Sequence, residues 1–552
     1  MMKVLRFCFA VAIVAVAMLP GSASASSKVS FKASSGAPWS FEQAAHLLRR
    51  AGFGGTPDQI EHLVQMGRDR AVDYLVDYEQ VPIGDSAYPM RENDVKPLER
   101  RLLTDLEQSE RERITMMLRR LNDQHMQAVR DWWTRRMVVT NRPLQEKMTL
   151  FWHGHFTSGF REVRGWREMY AQNEFFRENA LADFETLLMG VAKDPAMLKY
   201  LDNARNVKTS PNENFARELM ELFSLGVGNY SERDIKEAAR AFTGWSLDVD
   251  GYRFFPRRHD FGTKMFFGRR GRFDGDDIIQ LILRHPNAPR FMASNLLDFF
   301  VYRDAEPKTI ESLAKVIESK DFDFREIMRA LLKSDEFYSD RAMFSQIKSP
   351  VDLVVGAVRS LEVDTVNPRG LYAACRQMGQ NLFQPPNVKG WDGAERWITT
   401  NTLFARYNFG KDLVGTNARR KPSTIAGRIA DMKRQRNASA AKGKGASDGA
   451  MMMDDEMMMR PTLSQITGNS VSTSPYDPRP TLDRLALRAP DEIVQHYVKR
   501  LLQRELEPQR FEVLLTAFAP QGKPFRVDAR DTPERIRALV SLIMSMPEYQ
   551  LF

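Results

Sequence analysis

Residues 39–57 read WSFEQAAHLLRRAGFGGTP and contain the end of one helix and the start of the next. Apolar side chains recur from Phe41 to Leu48 with helical spacing, and a cluster of glycines then interrupts the pattern. Thr56 and Pro57 follow as an N-cap residue and a first-turn proline. The stretch therefore predicts a helix-turn-helix in the plain architectural sense.

Helical spacing continues along most of the chain, which predicts a mainly α fold: a multi-helix globular array with irregular loops. Residues 96–140 are rich in Arg and Glu with recurring apolar positions, typical of one or two long amphipathic helices. Residues 251–275 have weak periodicity and predict a loop with a short hairpin. From 415 to 480 the periodicity is lost, which predicts a disordered insertion before a C-terminal helical segment.

The sequence divides into five predicted regions. They are a signal peptide (1–25), a flexible N-terminal segment (26–38), a main helical domain (39–414), the low-complexity insertion (415–480) and a C-terminal helical segment that packs on the main domain (481–552).

The first 25 residues are typical of a secretory signal. Lys3 and Arg6 precede an apolar run, and small residues before Ser26 fit cleavage after Ala25. We therefore expect Sec-type export to the periplasm or the extracellular space. No later stretch approaches the roughly 20 apolar residues of a spanning helix, so no stable membrane anchor is expected. Cleavage would leave Cys375 without a partner for an intramolecular disulfide.

The formal net charge of +9 is unevenly distributed. Ten Lys or Arg residues and two Asp residues lie between Lys411 and Gly445, so the positive charge is concentrated in that segment. A nucleic-acid-binding fold would carry a basic field over its surface. No nucleic-acid partner is therefore expected.

His153 and His155 are the first candidate metal ligands. Two histidines that are two residues apart share a face in extended or loop backbone, whereas in a helix they point about 200° apart. Imidazole pairs suit zinc, iron, copper or nickel. Alternatively, both belong to an aromatic shell at the end of a helix that begins near Leu144.

The densest polar pattern lies at residues 212–223. Asn214 and Glu218 share one helical face, which suits substrate contact for Asn214 and acid–base catalysis or metal binding for Glu218. Glu213 is a further candidate metal ligand. Alternatively, these glutamates form surface ion pairs, with Arg217 bridging the residues four positions to either side.

The irregular region contributes His259, Asp260 and Lys264. Functional groups are often carried on loops, so His259 and Lys264 are candidate catalytic residues and Asp260 a candidate substrate contact. The alternative is an ordinary polar loop.

Trp391 and Trp397 lie among amide and hydroxyl residues and could stack on a sugar. Alternatively, they are core tryptophans that cap a proline-fixed turn. The methionine-rich run at 451–459 offers thioether ligands for Cu(I), and its low-complexity setting favours an inert loop.

The chain resembles the bacterial family catalogued as domain-of-unknown-function family 1800. The motifs that carry the resemblance are His46–Gly54, Phe151–Phe156, Asn212–Gly226, Ala239–Trp245, His259–Lys264 and Gln384–Trp391. The resemblance implies an exported, mainly helical protein, often encoded beside a second exported family that is similar to sulfatases or alkaline phosphatases. It provides no established catalytic residues, and the methionine-rich insertion departs from the family pattern.

Three functional hypotheses follow. The first is an exported metal-dependent enzyme, such as a hydrolase, in which a divalent transition metal is held where His153, His155, Glu213, Glu218 and His259 converge. The second is a noncatalytic envelope protein that binds or assists a neighbouring exported sulfatase-like or phosphatase-like protein. The third is a polysaccharide-binding module that uses Trp391 and Trp397. Scattering of the five metal-ligand candidates over separate faces would favour the latter two.

Overall fold

The computed structural model describes residues 31, 39–83, 95–248, 250–364, 366–415, 470–520 and 525–552. The predicted signal peptide and most of the predicted insertion, residues 416–469 with the methionine-rich run, lie outside the described residues.

The opening stretch folds as two helices joined by a tight glycine turn, as predicted. Ser40 is the N-cap residue of helix α1 (Phe41–Arg50), and Thr56 is the N-cap residue of α2 (Pro57–Met66). Each forms a capping box that satisfies two N–H groups at the start of its helix. Gly54 in the turn has a φ of +75°, a conformation that favours glycine.

The fold is mainly α, which confirms the predicted class. The helices that follow α2 in chain order are α3 (Arg68–Val76), α4 (Lys96–Leu102), α5 (Gln108–Val139), α6 (Pro143–His155), α7 (Phe160–Val163), α8 (Trp166–Glu178), α9 (Phe184–Lys193), α10 (Pro195–Tyr200), α11 (Asn214–Glu221), α12 (Glu232–Ala241), α13 (Gly275–Leu283), α14 (Ala288–Phe300), α15 (Pro307–Ser319), α16 (Phe324–Lys333), α17 (Pro350–Leu361), α18 (Pro368–Gln377), α19 (Thr400–Val414), α20 (Arg479–Arg484), α21 (Pro490–Leu502), α22 (Pro508–Phe518) and α23 (Thr532–Met544).

Two small antiparallel pairs lie between α12 and α13 in the described part of the chain. Strand β1 (Trp245–Asp248) pairs with β2 (Gly251–Phe254), and β3 (Lys264–Phe266) pairs with β4 (Arg269–Gly271). The weakly periodic region is therefore more regular than predicted, because its short strands alternate too briefly to stand out in the sequence.

Helix α6 lies at the centre of the fold. Every residue from Pro143 to His153 is buried, so this helix meets neighbours on all sides. Buried apolar side chains of the described residues form one cluster with α1–α3 and α9–α16 and another with α5, α17–α19 and the C-terminal helices. Met148 belongs to the first cluster and Leu150 to the second, so α6 joins the two.

A buried ion network fixes the position of α6. The carboxylate of Glu146 accepts hydrogen bonds from Arg136 Nε at 2.5 Å, from Arg177 Nε at 2.6 Å and from Trp133 Nε1 at 2.9 Å. Burial raises the pKa of Glu146, but the two guanidinium groups outweigh this and hold the pKa below its ordinary value. The network connects α5, α6 and α8 through one fully buried carboxylate.

We expect Glu146→Ala to destabilise the protein by about 3–5 kcal/mol, because it removes the fully buried carboxylate that the guanidinium groups of Arg136 and Arg177 share. Differential scanning fluorimetry would show a large fall in melting temperature. The matched control is Glu174→Ala, which removes a more exposed partner of Arg177 and should cost less than about 1 kcal/mol. Equal falls in melting temperature for the two variants would contradict the central role of Glu146 in the buried ion network.

The described segments that precede and follow residues 416–469 are each hydrogen-bonded to the helical body. Tyr476 N–H donates to the carbonyl of Val414 at 3.3 Å, and Asn367 N–H donates to the carbonyl of Val471 at 3.0 Å. Val471 and Tyr476 are buried. Residues 470–480, which the sequence places in the predicted insertion, are therefore packed on the helical body.

Replacing residues 416–469 by a linker of about 12 Gly and Ser residues should leave the melting temperature unchanged within about 1 °C, because Val414 already contacts Tyr476 and loop length affects stability weakly. Extending the deletion to residue 480 removes Val471 and Tyr476 and should lower the melting temperature clearly. If the shorter deletion already unfolds the protein, residues 416–469 contribute to the core.

Candidate functional site

The two predicted histidine ligands lie on the last turn of α6 and point to different neighbours. His153 Nε2 accepts a hydrogen bond from Phe383 N–H at 3.0 Å, and His155 Nε2 donates to the carbonyl of Phe223 at 2.9 Å. The helix continues through His155 and directs residues two apart to different sides, so the extended backbone that would put both imidazoles on one face is not found.

Both imidazoles are neutral at neutral pH. Burial lowers the pKa of His153 to about 3 and that of His155 to about 4, and the hydrogen bond to Phe223 offsets only part of the effect at His155. The aromatic-shell alternative describes them better, since His153 contacts the rings of Trp133 and Trp391. His153 is therefore a structural acceptor for a backbone N–H.

The polar face of α11 is held by local ion pairs. Arg217 lies 3.4 Å from Glu213 and 2.8 Å from Glu232, so one of the two predicted ion pairs forms. The other does not, because Glu221 instead accepts a hydrogen bond from the Tyr230 hydroxyl at 2.8 Å.

The remaining candidates on α11 are Asn214 and Glu218, and neither is fully buried. Asn214 is exposed and its amide donates to the carbonyl of Leu201 at 3.2 Å. Burial and the neighbouring Glu221 raise the pKa of Glu218, while Arg217 and Lys389 oppose the shift.

Backbone carbonyls accept the hydrogen bonds of the polar side chains in and beside the loop that contains His259. His259 Nδ1 donates to the carbonyl of Thr243 at 2.7 Å, and the ammonium of Lys264 donates to the carbonyl of Asp260 at 2.6 Å. Asp260 pairs with Arg240 at 2.7 Å, and this hydrogen bond holds the pKa of the carboxyl below its ordinary value. The three side chains stabilise the turn between β2 and β3.

The predicted convergence of His153, His155, Glu213, Glu218 and His259 on one metal is not found. Among the described residues no group of three or more His, Cys, Asp or Glu side chains is placed to hold a metal ion. The physical reason is that nearby main-chain groups already satisfy each of the three histidines.

A cleft of about 600 Å³ opens beside the last turns of α6. Its walls come from α6, the end of α11, α14, the start of α17 and the loop at 380–397. The aromatic part of the wall consists of Phe151, Phe291, Phe299, Tyr302, Trp391 and Trp397. The polar part includes Glu221, Asn295, Asp298, Gln346, Asp352 and Asp392. Of the predicted site residues, His155, Trp391 and Trp397 line this cleft.

His153 anchors the loop that carries both tryptophans. Its bond to Phe383 N–H holds a residue whose φ of +61° is uncommon outside glycine, and the Phe383 carbonyl in turn accepts from Phe160 N–H at 2.9 Å. The Trp391 ring packs on His153 and on the bare backbone of Gly154. The loop is therefore fixed to α6 and α7.

The charged groups of the cleft wall are paired or partly desolvated. The Lys147 ammonium lies 2.5 Å from Asp352, and burial lowers the pKa of this lysine despite that partner. Burial also raises the pKa of Asp298, with Arg303 acting against the shift. The cleft thus offers carboxyl and amide acceptors and donors beside ring faces, which suits a ligand with many hydroxyl groups.

Sequence reasoning missed Lys147, Asp298 and Asp352. The available signal for Lys147 was a lysine inside a run of apolar residues, which requires a buried partner. Its partner Asp352 is 205 residues away, and no local pattern indicates that pairing.

The family model described as protein of unknown function (DUF1800) matches residues 46–551. The chain belongs to this family. No curated protein and no solved structure matches it. Across the described part of this DUF1800 chain, no helix is long and apolar enough to cross a membrane.

Acid should destabilise the fold through His153. The unfolded imidazole takes up a proton near its ordinary pKa of about 6.5, whereas folded His153 stays neutral down to about pH 3. Its contribution is therefore present above pH 6.5 and is lost progressively as the pH falls towards 3. At pH 5 the loss amounts to about 2 kcal/mol.

We expect His153→Gln to reduce the fall in unfolding free energy between pH 7 and pH 5, measured by urea denaturation. The exposed His62 provides the control, His62→Gln, whose pH dependence should follow the parent protein. An unchanged pH dependence in His153→Gln would show that His153 is protonated in the folded state.

Proposed function

We propose that the protein is an exported binding protein for oligosaccharide segments, which it holds in the cleft beside α6. The observation that carries the proposal is that Trp391 and Trp397 line the same cleft. Flat indole faces bind the C–H faces of sugar rings, while carboxyl and amide groups bind the hydroxyls.

The polar wall supports a neutral or weakly charged glycan. Asp298 and Asp392 line the cleft together with Arg303, and Arg303 Nη1 donates to the carbonyl of Asp392 at 2.6 Å. The indole N–H of Trp391 is buried and has no hydrogen-bond partner among the described residues. A hydroxyl oxygen of the ligand would supply an acceptor for it.

Binding is favoured over metal-dependent hydrolysis because the described residues provide no three-ligand group. Assistance to a neighbouring exported sulfatase-like or phosphatase-like protein stays a prediction, as does export itself.

The test uses the mature full chain on a glycan array of bacterial and plant oligosaccharides, followed by isothermal titration with the strongest binder. Trp391→Ala should weaken binding about 10-fold, which corresponds to the roughly 1.4 kcal/mol of a stacked aromatic ring. Phe404→Ala serves as the control, since Phe404 is 63% exposed and lies outside the cleft. Absence of any binder on the array, or full affinity in Trp391→Ala, would overturn the proposal.

A further inference from the structure

A second, much smaller cavity lies behind the wall of the cleft. Its volume is about 20 Å³, and it is lined by polar groups that include Arg49, Lys348, Asp352, Ser360 and Gln503. A cavity needs roughly 10–15 Å³ to hold one water-sized species. The space therefore suits one small occupant and is too small for a phosphate or a sugar.

Arg49 lines this cavity and has unpartnered donors, and its guanidinium lies 4.6 Å from the centre of the Phe344 ring. The side chain is 6% exposed, and its Nη1 donates to Gln503 Oε1 at 2.7 Å. Its Nε and Nη2 groups are buried and have no acceptor among the described residues. Buried guanidinium donors are normally all paired, so two unpaired ones indicate a missing acceptor.

Lys348 adds a second buried basic group. Burial and the neighbouring Arg49 lower the pKa of its ammonium to about 7, and Asp352 acts against the shift. The residue is 8% exposed, and its ammonium lies 3.9 Å from the centre of the Tyr549 ring. No ion pair joins Lys348 to a carboxylate among the described residues. A ring face carries only partial negative charge, so it does not replace the carboxylate that a buried ammonium normally has as its partner.

The surrounding charges leave the cavity positive. Asp352 is the carboxylate in its lining, and it already binds Lys147 at 2.5 Å and Ser349 Oγ at 2.7 Å. The neighbouring Arg50 and Arg406 donate to neutral acceptors, and Arg406 Nε is itself buried without a partner in the described part of the chain.

Two further charged groups affect Arg49 from α1 and the C-terminal part of the chain. Burial and the neighbouring Arg50 lower the pKa of Arg49 to about 9, Glu42 acts against this shift and Arg504 adds to it. Five basic side chains in this part of the core are buried: those of Arg49, Arg50, Lys147, Lys348 and Arg406.

We propose that this cavity binds a small monovalent anion of the size of chloride, held by the Nε and Nη2 groups of Arg49 and the ammonium of Lys348. The Ser360 hydroxyl also lines the cavity and can donate to the anion. The anion balances the buried positive charge and supplies the acceptors that Arg49 lacks. The site is independent of glycan binding.

The first test measures thermal stability of the full mature chain at pH 7. Potassium gluconate is replaced stepwise by potassium chloride or bromide at constant ionic strength. Chloride and bromide should raise the melting temperature saturably by at least about 1 °C, because a ligand that binds only the folded state stabilises it by mass action. Lys348→Met should abolish the rise, whereas Lys208→Met, which removes an exposed lysine, should retain it.

The second test does not depend on whether Lys348→Met folds. Anomalous diffraction from parent crystals soaked in bromide should show a peak within hydrogen-bond distance of Arg49 Nη2 and Lys348 Nζ. A halide-independent melting temperature, a full halide effect in Lys348→Met, or an empty or water-filled cavity in the bromide crystal would each overturn the proposal.

Discussion

The carboxylate of Asp352 is the constraint around which the centre of this protein is arranged. Burial lowers the pKa of Arg50, Lys147, Lys348 and Arg406, and Asp352 acts against that shift in each of them. The four side chains come from α1, α6, the segment before α17 and α19. A buried cation without a negative or strongly polar partner costs several kcal/mol, so these elements must meet near Asp352 or leave a charge unpaired. Asp352 lines both the cleft beside α6 and the small cavity.

Arg50 shows how backbone groups complete this arrangement. Its guanidinium donates to the carbonyls of Phe299, Phe300 and Val301 at 3.2, 2.9 and 3.1 Å. These are carbonyls at the C-terminal end of α14, where the helix dipole is negative. The same contact therefore joins α1 to α14 and places α14 along the wall of the cleft.

Local sequence signals predicted the helices well because their causes are local. The N-cap residue Thr56 and the first-turn Pro57 lie directly at the start of α2, the boundary that they set. The predicted insertion, 415–480, included residues 470–480, which pack on the helical body. Val471 and Tyr476 in this segment are single apolar residues whose burial depends on distant helices.

The site was harder to predict for a physical reason. Aromatic neighbours did indicate desolvated ionisable groups, and His153 and His259 are both buried. Each is nevertheless satisfied by a main-chain group, which is available anywhere in a fold and leaves no sequence pattern. The tryptophan pair was recognised because both residues lie on one loop, whereas Lys147 and Asp352 are brought together by tertiary structure alone.

The bond between Arg49 and Gln503 joins residues that are 454 positions apart. Contacts between residues so far apart in sequence form slowly, because the conformational entropy of a large part of the chain is lost before the contact contributes to stability. Arg49 gains its Gln503 acceptor only when the C-terminal part of the chain docks, and the walls of both cavities, which include Phe552, are incomplete until then. Occupancy of either cavity would therefore report that the N-terminal and C-terminal parts of the chain have both reached their final positions.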